Sequence, residues 1–311
     1  MSQLRVLIVV NPKASRAQET LDALPDWFAA RAASKLVVTQ SREALNQAIA
    51  DHGPGADRIV IGGGDGTISQ ALPDLLALGK PLAVLPLGTA NDFANTLGVP
   101  ADVMEAAEIA LEGRKHKIDV GLVNGQPFLN VASIGVAANA VRAQTTALKR
   151  RWRLLSYPIS LFHAARESKP FVVTLNVDGA PAWTGPVYQV SIGNGRFHGG
   201  GLTVADHAAI DDGKLDLYAV SPGTVLQLMA CVTHLKFGFS APDLLQRNCA
   251  TRVTITTSRP RPVNADGEIK TETPAEFSLR RHGLTVIVPK ALPQDHPGLS
   301  DPRGTRASPA R

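Results

Sequence analysis

The sequence predicts an α/β protein of two domains: an N-terminal three-layer α/β domain with a parallel sheet, and a C-terminal domain of antiparallel sheet. Short unbroken runs of Val, Ile and Leu alternate with helix-spaced segments up to about residue 118, which is typical of parallel strands covered by helices on both faces. Beyond that point, strand-like runs follow one another with turn dipeptides between them. The length of 311 residues also favours two domains over one.

The N-terminal domain, assigned to residues 1–118, alternates strands with helices. The apolar runs LRVLIVV, LVVT, RIVI and LAVLP predict strands, and the segments between them repeat apolar residues at helical spacing. The predicted order is strand 4–10, helix 17–33, strand 36–39, helix 42–51, strand 58–61, helix 67–78 and strand 82–86.

The C-terminal domain, assigned to residues 119–290, begins with two hairpin signals. Asn124-Gly125 and Asp178-Gly179 each separate two strand-like runs, and such dipeptides favour two-residue turns. Residues 291–311 are rich in Pro, Gly and charge and are predicted not to pack. Further strands are predicted at 187–193, 214–220, 251–257, 275–281 and 284–288, with helices at about 139–166 and 223–238.

The composition is that of a globular protein, 44% hydrophobic and 19% charged. The net charge of +5 favours anionic partners such as nucleotide phosphates or acidic lipid surfaces. Aromatic residues make up only 5% and no recognition motif is present, so we expect no nucleic-acid partner. Two isolated cysteines, Cys231 and Cys249, indicate no disulfide scaffold. No apolar run reaches the roughly 18 residues that span a bilayer, so we expect a cytoplasmic protein, or one peripheral at the inner face of the membrane.

The stretch GGGDGT (62–67) lies where strand 58–61 ends and helix 67–78 begins. Ligands bind at this edge of an open parallel sheet, because glycines let backbone N–H groups approach a phosphate and a helix N-terminus attracts an anion. The stretch lacks the Lys of a P-loop and does not match GxGxxG. Its alternative interpretation is a tight structural turn in which Asp65 and Thr67 act as caps.

A second small, polar loop favours the nucleotide site over the structural turn. LPLGTANDFA (85–94) follows the next strand at the same edge, so Gly88, Thr89 and Asn91 can meet the first loop, and Thr39 closes another strand there. Two such loops after successive strands predict a nucleotide in the crevice between them.

Six motifs occur in an order and at a spacing that resemble a known family. They are NPKAS (11–15), GGGDGT (62–67), LPLGTANDFA (85–94), NGRFHGGGL (194–202), IDDGKLDLY (210–218) and NADGEI (264–269). Together they resemble the bacterial lipid kinases with a diacylglycerol kinase catalytic domain, relatives of sphingosine kinases and, more distantly, of NAD kinases. The resemblance spans residues 4–290 and implies that the C-terminal domain is an antiparallel β-sandwich.

The resemblance also implies which residues form the site. Mg²⁺ would be held by the carbonyls of Ala209 and Lys214 and the carboxylate of Asp212, oxygen ligands that suit a hard cation. The catalytic acids would be Asp65, which could also bind Mg²⁺, and the DGE motif, whose proton acceptor is either Asp266 or Glu268. ATP would be bound by Thr39, Gly64, Asp65, Gly66, Thr67, Ile68, Ser69, Gln70 and Thr89.

Some positions depart from the family or have another interpretation. Ser69-Gln70 stands where the family usually has Asn-Glu, which removes a carboxylate near the nucleotide, and Ser15 stands where the first motif usually has Gly. DGE by itself is typical of a surface hairpin turn. NGRFHGGGL by itself is typical of a flexible loop, and His198 has no second His or Cys at ligand spacing.

These observations predict an ATP-dependent lipid kinase that transfers the γ-phosphate to a hydroxyl of a glycerolipid, of diacylglycerol or phosphatidylglycerol type. One alternative is a kinase for a sphingoid base or for NAD, although the DGE and NGRFHGGG motifs argue against NAD. The other is a catalytically inactive regulatory protein that binds nucleotide or lipid, which the Ser69-Gln70 departure allows.

Contact with a membrane surface is expected at two segments. The basic stretch LKRRWRLLSY (148–157) is either a solvated helix face or a surface for anionic lipid. The helical stripe in 225–239 is either core or a lipid-contacting face. A homodimer is left open.

Overall fold

The computed structural model describes residues 3–135, 169–195, 209–223, 245–291 and 298–299. The chain divides into two compact units. The first unit contains Met1–Asp119, Ala209–Asp212 and Arg281–Arg311, and the second contains Val120–Ala208 and Gly213–Arg280. Residues 209–212 and 281–290 pack with the first unit, and the assignment of residues 119–290 to one C-terminal domain stays a prediction.

The strands and helices follow one another along the chain as follows. The helices are α1 (Ala17–Ala29), α2 (Arg42–His52), α3 (Asp65–Leu78), α4 (Asp92–Thr96) and α5 (Val103–Glu112). The first four strands are β1 (Arg5–Val10), β2 (Ala33–Val38), β3 (Arg58–Gly63) and β4 (Leu82–Pro86). The later strands are β5 (Arg114–Val123), β6 (Gln126–Phe128), β7 (Val131–Gly135), β8 (Phe171–Val177), β9 (Ala180–Val187), β10 (Gln189–Gly193), β11 (Leu215–Val220), β12 (Leu245–Ala250), β13 (Val253–Thr257), β14 (Pro262–Ala265), β15 (Glu268–Glu272) and β16 (Ala275–Val288).

The first unit is built on a parallel sheet with the order β2-β1-β3-β4. Strands β1, β3 and β4 are buried almost along their whole length, as expected for apolar strands covered on both faces. The last residues of β16 extend this sheet, since Val286 pairs with Leu82 in parallel. The predicted α/β architecture is confirmed, because the sequence pattern and the parallel pairing agree.

Local signals set the ends of several helices in the first unit. Ser41 begins α2, and its hydroxyl accepts the N–H of Ala44 at 3.2 Å. Asp102 begins α5 in the same way and accepts the N–H groups of Met104 and Glu105. Helices α4 and α5 were not predicted. The first helix was predicted to end at residue 33 but ends at Ala29. Strand β2 begins at Ala33, three residues before the apolar run that predicted it.

The second unit is an antiparallel sandwich. One sheet has the order β12-β11-β10-β7-β14-β15. The facing strands are β8, β9, β13 and the first half of β16, paired antiparallel. Residues of both sheets form one buried cluster, in which Phe171, Val253 and Phe277 meet Ile134, Val190 and Leu217. The predicted β-sandwich is confirmed.

Three hairpins of this unit turn on an Asn-Gly or Asp-Gly dipeptide. Both residues of each turn have positive φ, as a two-residue type I′ turn requires. Two of these turns were predicted as hairpins. The three dipeptides are Asn124-Gly125, Asp178-Gly179 and Asp266-Gly267.

Other predictions are corrected or fall outside the description. The separate strands 275–281 and 284–288 are one strand, β16, which continues through His282 at a φ of 51°. Gly298 and Leu299, in the segment predicted not to pack, are held in the first unit: Leu299 is buried, and the Gly298 carbonyl accepts the N–H of Ile210 at 3.1 Å.

Several predictions lie outside the described residues, apart from residue 223: the helices at 139–166 and 223–238, the basic stretch 148–157, His198 and Cys231. In the part of the chain that is described, no helix is both long and apolar enough to cross a membrane.

Candidate active site

Two loops approach each other at the carboxyl end of the parallel sheet. Gly64 follows β3, and Gly88 lies just beyond β4. A Cβ atom placed on Gly88 would lie 2.5 Å from the Cα atom of Gly64, and one placed on Gly64 would lie 3.1 Å from the Cα atom of Gly88. Gly64 itself has a φ of −99°, which any residue adopts. Glycine is therefore needed here for backbone contact between the two loops rather than for an unusual conformation.

Gly66 differs from these packed glycines because the space around it is open. A Cβ atom placed there would meet no atom within 4 Å, and the residue is exposed. It lies in the first turn of α3, where the N–H groups of Thr67 and Ile68 donate to the Gly64 carbonyl, while the earlier N–H groups have no acceptor inside the helix. An anion such as a phosphate can approach these N–H groups, and the helix dipole favours it.

The carboxylate of Asp65 joins the two loops. Its Oδ2 atom accepts the N–H of Asp92 at 3.1 Å, and its Oδ1 atom accepts the N–H of Phe93 at 2.9 Å. Helix α4 begins after Asn91, whose side chain provides no cap to that helix. Asp65 therefore caps α4, and the interpretation of Asp65 as a cap holds for this neighbouring helix. A carboxylate has about four acceptor positions, so these two bonds leave room for a ligand contact.

Amide and hydroxyl side chains fix the shape of the loops. Asn91 accepts the N–H of Gly88 at 2.9 Å and donates to the Gly88 carbonyl at 3.0 Å. Asn11 of the first motif donates to the Thr67 hydroxyl at 3.2 Å. Ser15 of the same motif donates to the Leu87 carbonyl at 3.1 Å. The bonds of Asn11 and Ser15 were not predicted, because each joins residues distant in sequence, whereas Asn91 bonds within its own loop.

The residues predicted to bind ATP divide into accessible and buried groups. Gly64 and Asp65 are half-buried, and Gly66 and Thr89 are exposed at the two loops. The side chains of Ile68 and Ser69, which belong to α3, are buried. Thr39, Thr67 and Gln70 complete the predicted set: Thr39 and Thr67 are buried and Gln70 is half-buried.

In the second unit, Asp266 stabilises a neighbouring segment. Its carboxylate accepts three N–H groups, from Leu129 at 2.6 Å, Asn130 at 2.9 Å and Val131 at 3.2 Å. The Asp266 N–H donates to the Val131 carbonyl at 3.0 Å. These bonds occupy the carboxylate and fix its position against residues 129–131. The DGE motif is a hairpin turn, as its alternative interpretation had it.

Asn194, from the NGRFHGGGL motif, holds the same segment from another strand end. Its backbone N–H donates to the Asn130 carbonyl, and its side-chain amide donates to the Leu129 carbonyl, both at 2.9 Å. The motif continues beyond the described residues after position 195. Its first residue therefore has a structural role, which the glycine pattern did not reveal.

Glu268 has a different environment at the start of β15. Its Oε2 atom accepts a hydrogen bond from Lys270 Nζ at 2.8 Å. The Glu268 side chain is 27% exposed to solvent, whereas the Lys270 side chain is only 8% exposed.

The residues predicted to hold Mg²⁺ lie in and just after a turn. The Ala209 N–H donates to Asp212 Oδ2 at 3.2 Å, and the Asp212 N–H donates to the Ala209 carbonyl at 3.4 Å. Ala209 and Asp212 belong to the first unit and Lys214 to the second. A carboxylate and carbonyl oxygens are the ligand types that a hard cation takes. Among the described residues, no group of three or more His, Cys, Asp or Glu side chains could hold a metal, so such a site depends on carbonyl ligands.

A buried contact connects this turn to β5. His116 Nε2 lies 2.7 Å from Asp211 Oδ2, and the Asp211 side chain is 5% exposed. The Asp119 N–H donates to the Ile210 carbonyl at 2.8 Å. The turn is thus attached to β5 through both a side chain and the backbone.

Two family models match the chain in succession. The diacylglycerol kinase catalytic domain matches residues 5–123. The YegS C-terminal NAD kinase beta sandwich-like domain matches residues 130–292, more than half of the chain. The chain belongs to the YegS-like lipid kinase family. The family predicted from the motifs is therefore confirmed, and the protein is a lipid kinase.

Individual relatives agree with this family. A protein of Pseudomonas syringae pv. tomato named "Probable lipid kinase YegS-like" is 31% identical over 94% of this chain and 96% of its own. A Bacillus subtilis protein named diacylglycerol kinase is 31% identical over 75% of this chain and 78% of its own. The crystal structure of a diacylglycerol kinase from Bacillus anthracis str. Sterne superposes with a TM-score of 0.74 at 25% identity, covering 93% of this chain and 98% of that one.

Proposed function

We propose that this kinase transfers the γ-phosphate of ATP to a hydroxyl of a glycerolipid, of diacylglycerol or phosphatidylglycerol type. The observation that carries the proposal is the exposed first turn of α3 at Gly66, set between two loops that contact each other. This arrangement suits the phosphates of a nucleotide. The Bacillus subtilis relative, named diacylglycerol kinase, supports a glycerolipid acceptor.

The nucleotide would be held chiefly by backbone groups. Phosphoryl transfer depends on positioning and charge neutralisation more than on covalent chemistry by the protein. N–H groups of the first turn of α3 would bind phosphate oxygens, and Gly66 leaves them accessible. Thr89, exposed on the second loop, would add a hydroxyl contact.

Glu268 is the better of the two candidates for the proton acceptor. Asp266 accepts three N–H groups that hold its carboxylate in place. Glu268 is partly exposed, and its Oε2 atom accepts a hydrogen bond from Lys270. We assign Glu268 to accept the proton of the lipid hydroxyl, and Asp266 to hold the segment 129–131.

Mg²⁺ fits the oxygen ligands that this chain offers. Asp212 would contribute a carboxylate, and Ala209 and Lys214 their carbonyls. A divalent cation bound at these oxygens would supply positive charge there.

The test is phosphoryl transfer by the purified protein. The protein is incubated with labelled ATP, Mg²⁺ and one acceptor at a time: diacylglycerol, phosphatidylglycerol, sphingosine or NAD. We expect label in the glycerolipid product, reduced to a small residual rate in Glu268→Gln and kept in Glu272→Gln, an exposed glutamate of the same strand. Preferred labelling of sphingosine or NAD would establish the corresponding alternative. Nucleotide binding without transfer to any acceptor would establish a regulatory protein.

A lipid acceptor also requires access to a membrane surface. The net charge of +5 suggests attraction to anionic lipid. Co-sedimentation with phosphatidylcholine vesicles, with and without phosphatidylglycerol, tests this at low and high salt. We expect binding only to the anionic vesicles, weakened by salt; equal binding to both would contradict the electrostatic contact.

A further inference from the structure

Glu268 and Lys270 form an ion pair in which the cation is the more deeply buried partner. Lys270 Nζ lies 2.8 Å from Glu268 Oε2, and the two side chains are 8% and 27% exposed. They are two positions apart on β15, so they stand on one side of the strand. The contact therefore needs no long-range packing to form.

Burial makes this pair different from an ion pair at the surface. A lysine ammonium with little access to water needs a partner, because an unpaired buried charge is strongly destabilising. Lys290 and Glu112 form a comparable contact at 3.2 Å, but their side chains are 68% and 62% exposed, so water competes for both charges. Lys270 thus holds one oxygen of Glu268 in a way that solvent does not replace.

We propose that Lys270 is a positioning residue that orients the Glu268 carboxylate toward the acceptor hydroxyl. The ammonium fixes Oε2 and so limits the rotamers of Glu268. This inference rests on the proposed function, in which Glu268 accepts the proton of the lipid hydroxyl.

Two effects of Lys270 on the reaction oppose each other. A neighbouring ammonium makes a carboxylate a weaker base, which by itself slows proton transfer. Fixing the carboxylate in place speeds the reaction through orientation. Phosphoryl transfer passes through a loose transition state that needs little base strength, so orientation outweighs the weaker base. Loss of Lys270 is therefore expected to lower kcat.

The test compares three variants in the full chain with ATP and the glycerolipid that the wild-type protein phosphorylates. Lys270→Met is expected to lower kcat about 10- to 100-fold, the factor that corresponds to one charge-assisted hydrogen bond, with the KM for ATP and for the lipid within about twofold of wild type. Lys270→Arg keeps a donor for the carboxylate and is expected to recover most of the rate. Lys290→Met removes the exposed lysine and is expected to leave all constants unchanged.

A double variant separates positioning from a purely structural role. In the Glu268→Gln background, Lys270→Met should change the residual rate by less than about twofold, because the carboxylate it orients is gone. Equal losses with and without Glu268, or no recovery in Lys270→Arg, would overturn the proposal. A wild-type rate in Lys270→Met would overturn it too while leaving the kinase assignment intact. A wild-type protein that phosphorylates no acceptor would refute the proposed function itself.

Discussion

The Asp65 Oδ1 atom lies 2.9 Å from the backbone nitrogen of Phe93, so the acid of the GGGDGT motif caps the helix that begins in the GTANDFA motif. The second oxygen of Asp65 accepts the neighbouring N–H of Asp92. Two motifs separated by about 20 residues are therefore one structural device, in which a single carboxylate fixes the distance between the loops. A residue of this kind affects both stability and activity, and its variants need a control that separates the two.

Replacement of Asp65 by alanine is expected to abolish lipid phosphorylation and to lower the free energy of unfolding by about 0.5–2 kcal/mol, the usual range for loss of a helix cap. Asp102→Ala is the matched control, because Asp102 also caps a helix by accepting two N–H groups. Its loss of stability should be similar, with activity retained. Denaturant unfolding and kinase assays on both variants check this. Equal activities in the two variants would show that Asp65 acts only as a helix cap and has no role in the reaction.

Gly66 and Gly88 are expected to respond differently to a Cβ atom. Gly88→Ala forces apart the two loop backbones and should destabilise the protein by about 1–3 kcal/mol, as other overpacked sites do. Gly66→Ala meets no atom within 4 Å, so stability should stay the same or rise slightly. The added methyl group would stand before the N–H groups that we assign to phosphate, so the KM for ATP should rise several-fold. Thermal unfolding and steady-state kinetics separate these results; an unchanged KM in Gly66→Ala would place the phosphates elsewhere.

Much of the fold could be predicted from local sequence patterns. The apolar runs gave the strands β1, β3 and β4, and the Asn-Gly and Asp-Gly pairs gave their hairpins, because both signals are contained in a few adjacent residues. The length of β16 could not be predicted, since His282 adopts a positive φ within a strand whose two ends pair with β13 and β4.

The individual roles of site residues were harder to predict than their membership of the site. Asp266 and Glu268 stand two positions apart in one motif, and only the bonds to Leu129, Asn130 and Val131 distinguish the structural acid from the accessible one. The glycines show the same limit. Gly64 and Gly88 must both be glycine because their backbones lie in contact, and residues so far apart in the sequence give no local pattern that predicts this contact.

The two acids of the DGE turn should separate when each is replaced. Asp266→Ala leaves three N–H groups without their acceptor and should lower the free energy of unfolding by about 1–3 kcal/mol, with partial loss of activity through the displaced segment 129–131. Glu268→Gln keeps an oxygen for Lys270 but removes the countercharge of its ammonium, so stability should also fall, while activity falls to a small residual rate. Unfolding curves and kinase assays test both. Asp266→Asn removes only the charge. If this variant were inactive but stable while Glu268→Gln stayed active, Asp266 and not Glu268 would be the proton acceptor.

The ion pair between Arg5 and Asp57 predicts a defined pH dependence of stability in the first unit. Arg5 donates from both its side chain and its backbone to Asp57, and these bonds lower the pKa of Asp57 to about 2. An unfolded aspartate has a pKa of about 3.9. The pair therefore stabilises the fold above that pH, and its contribution is lost as the pH falls toward 2. The melting temperature of Asp57→Asn should therefore lie below that of the wild type at pH 6 and approach it as the pH falls below 4. Both side chains are solvent-accessible, so added salt should also reduce the difference. If the difference in melting temperature were constant from pH 6 down to acid and unaffected by salt, the charge of Asp57 would not contribute to stability. Its hydrogen bond with the Arg5 backbone would then account for the effect.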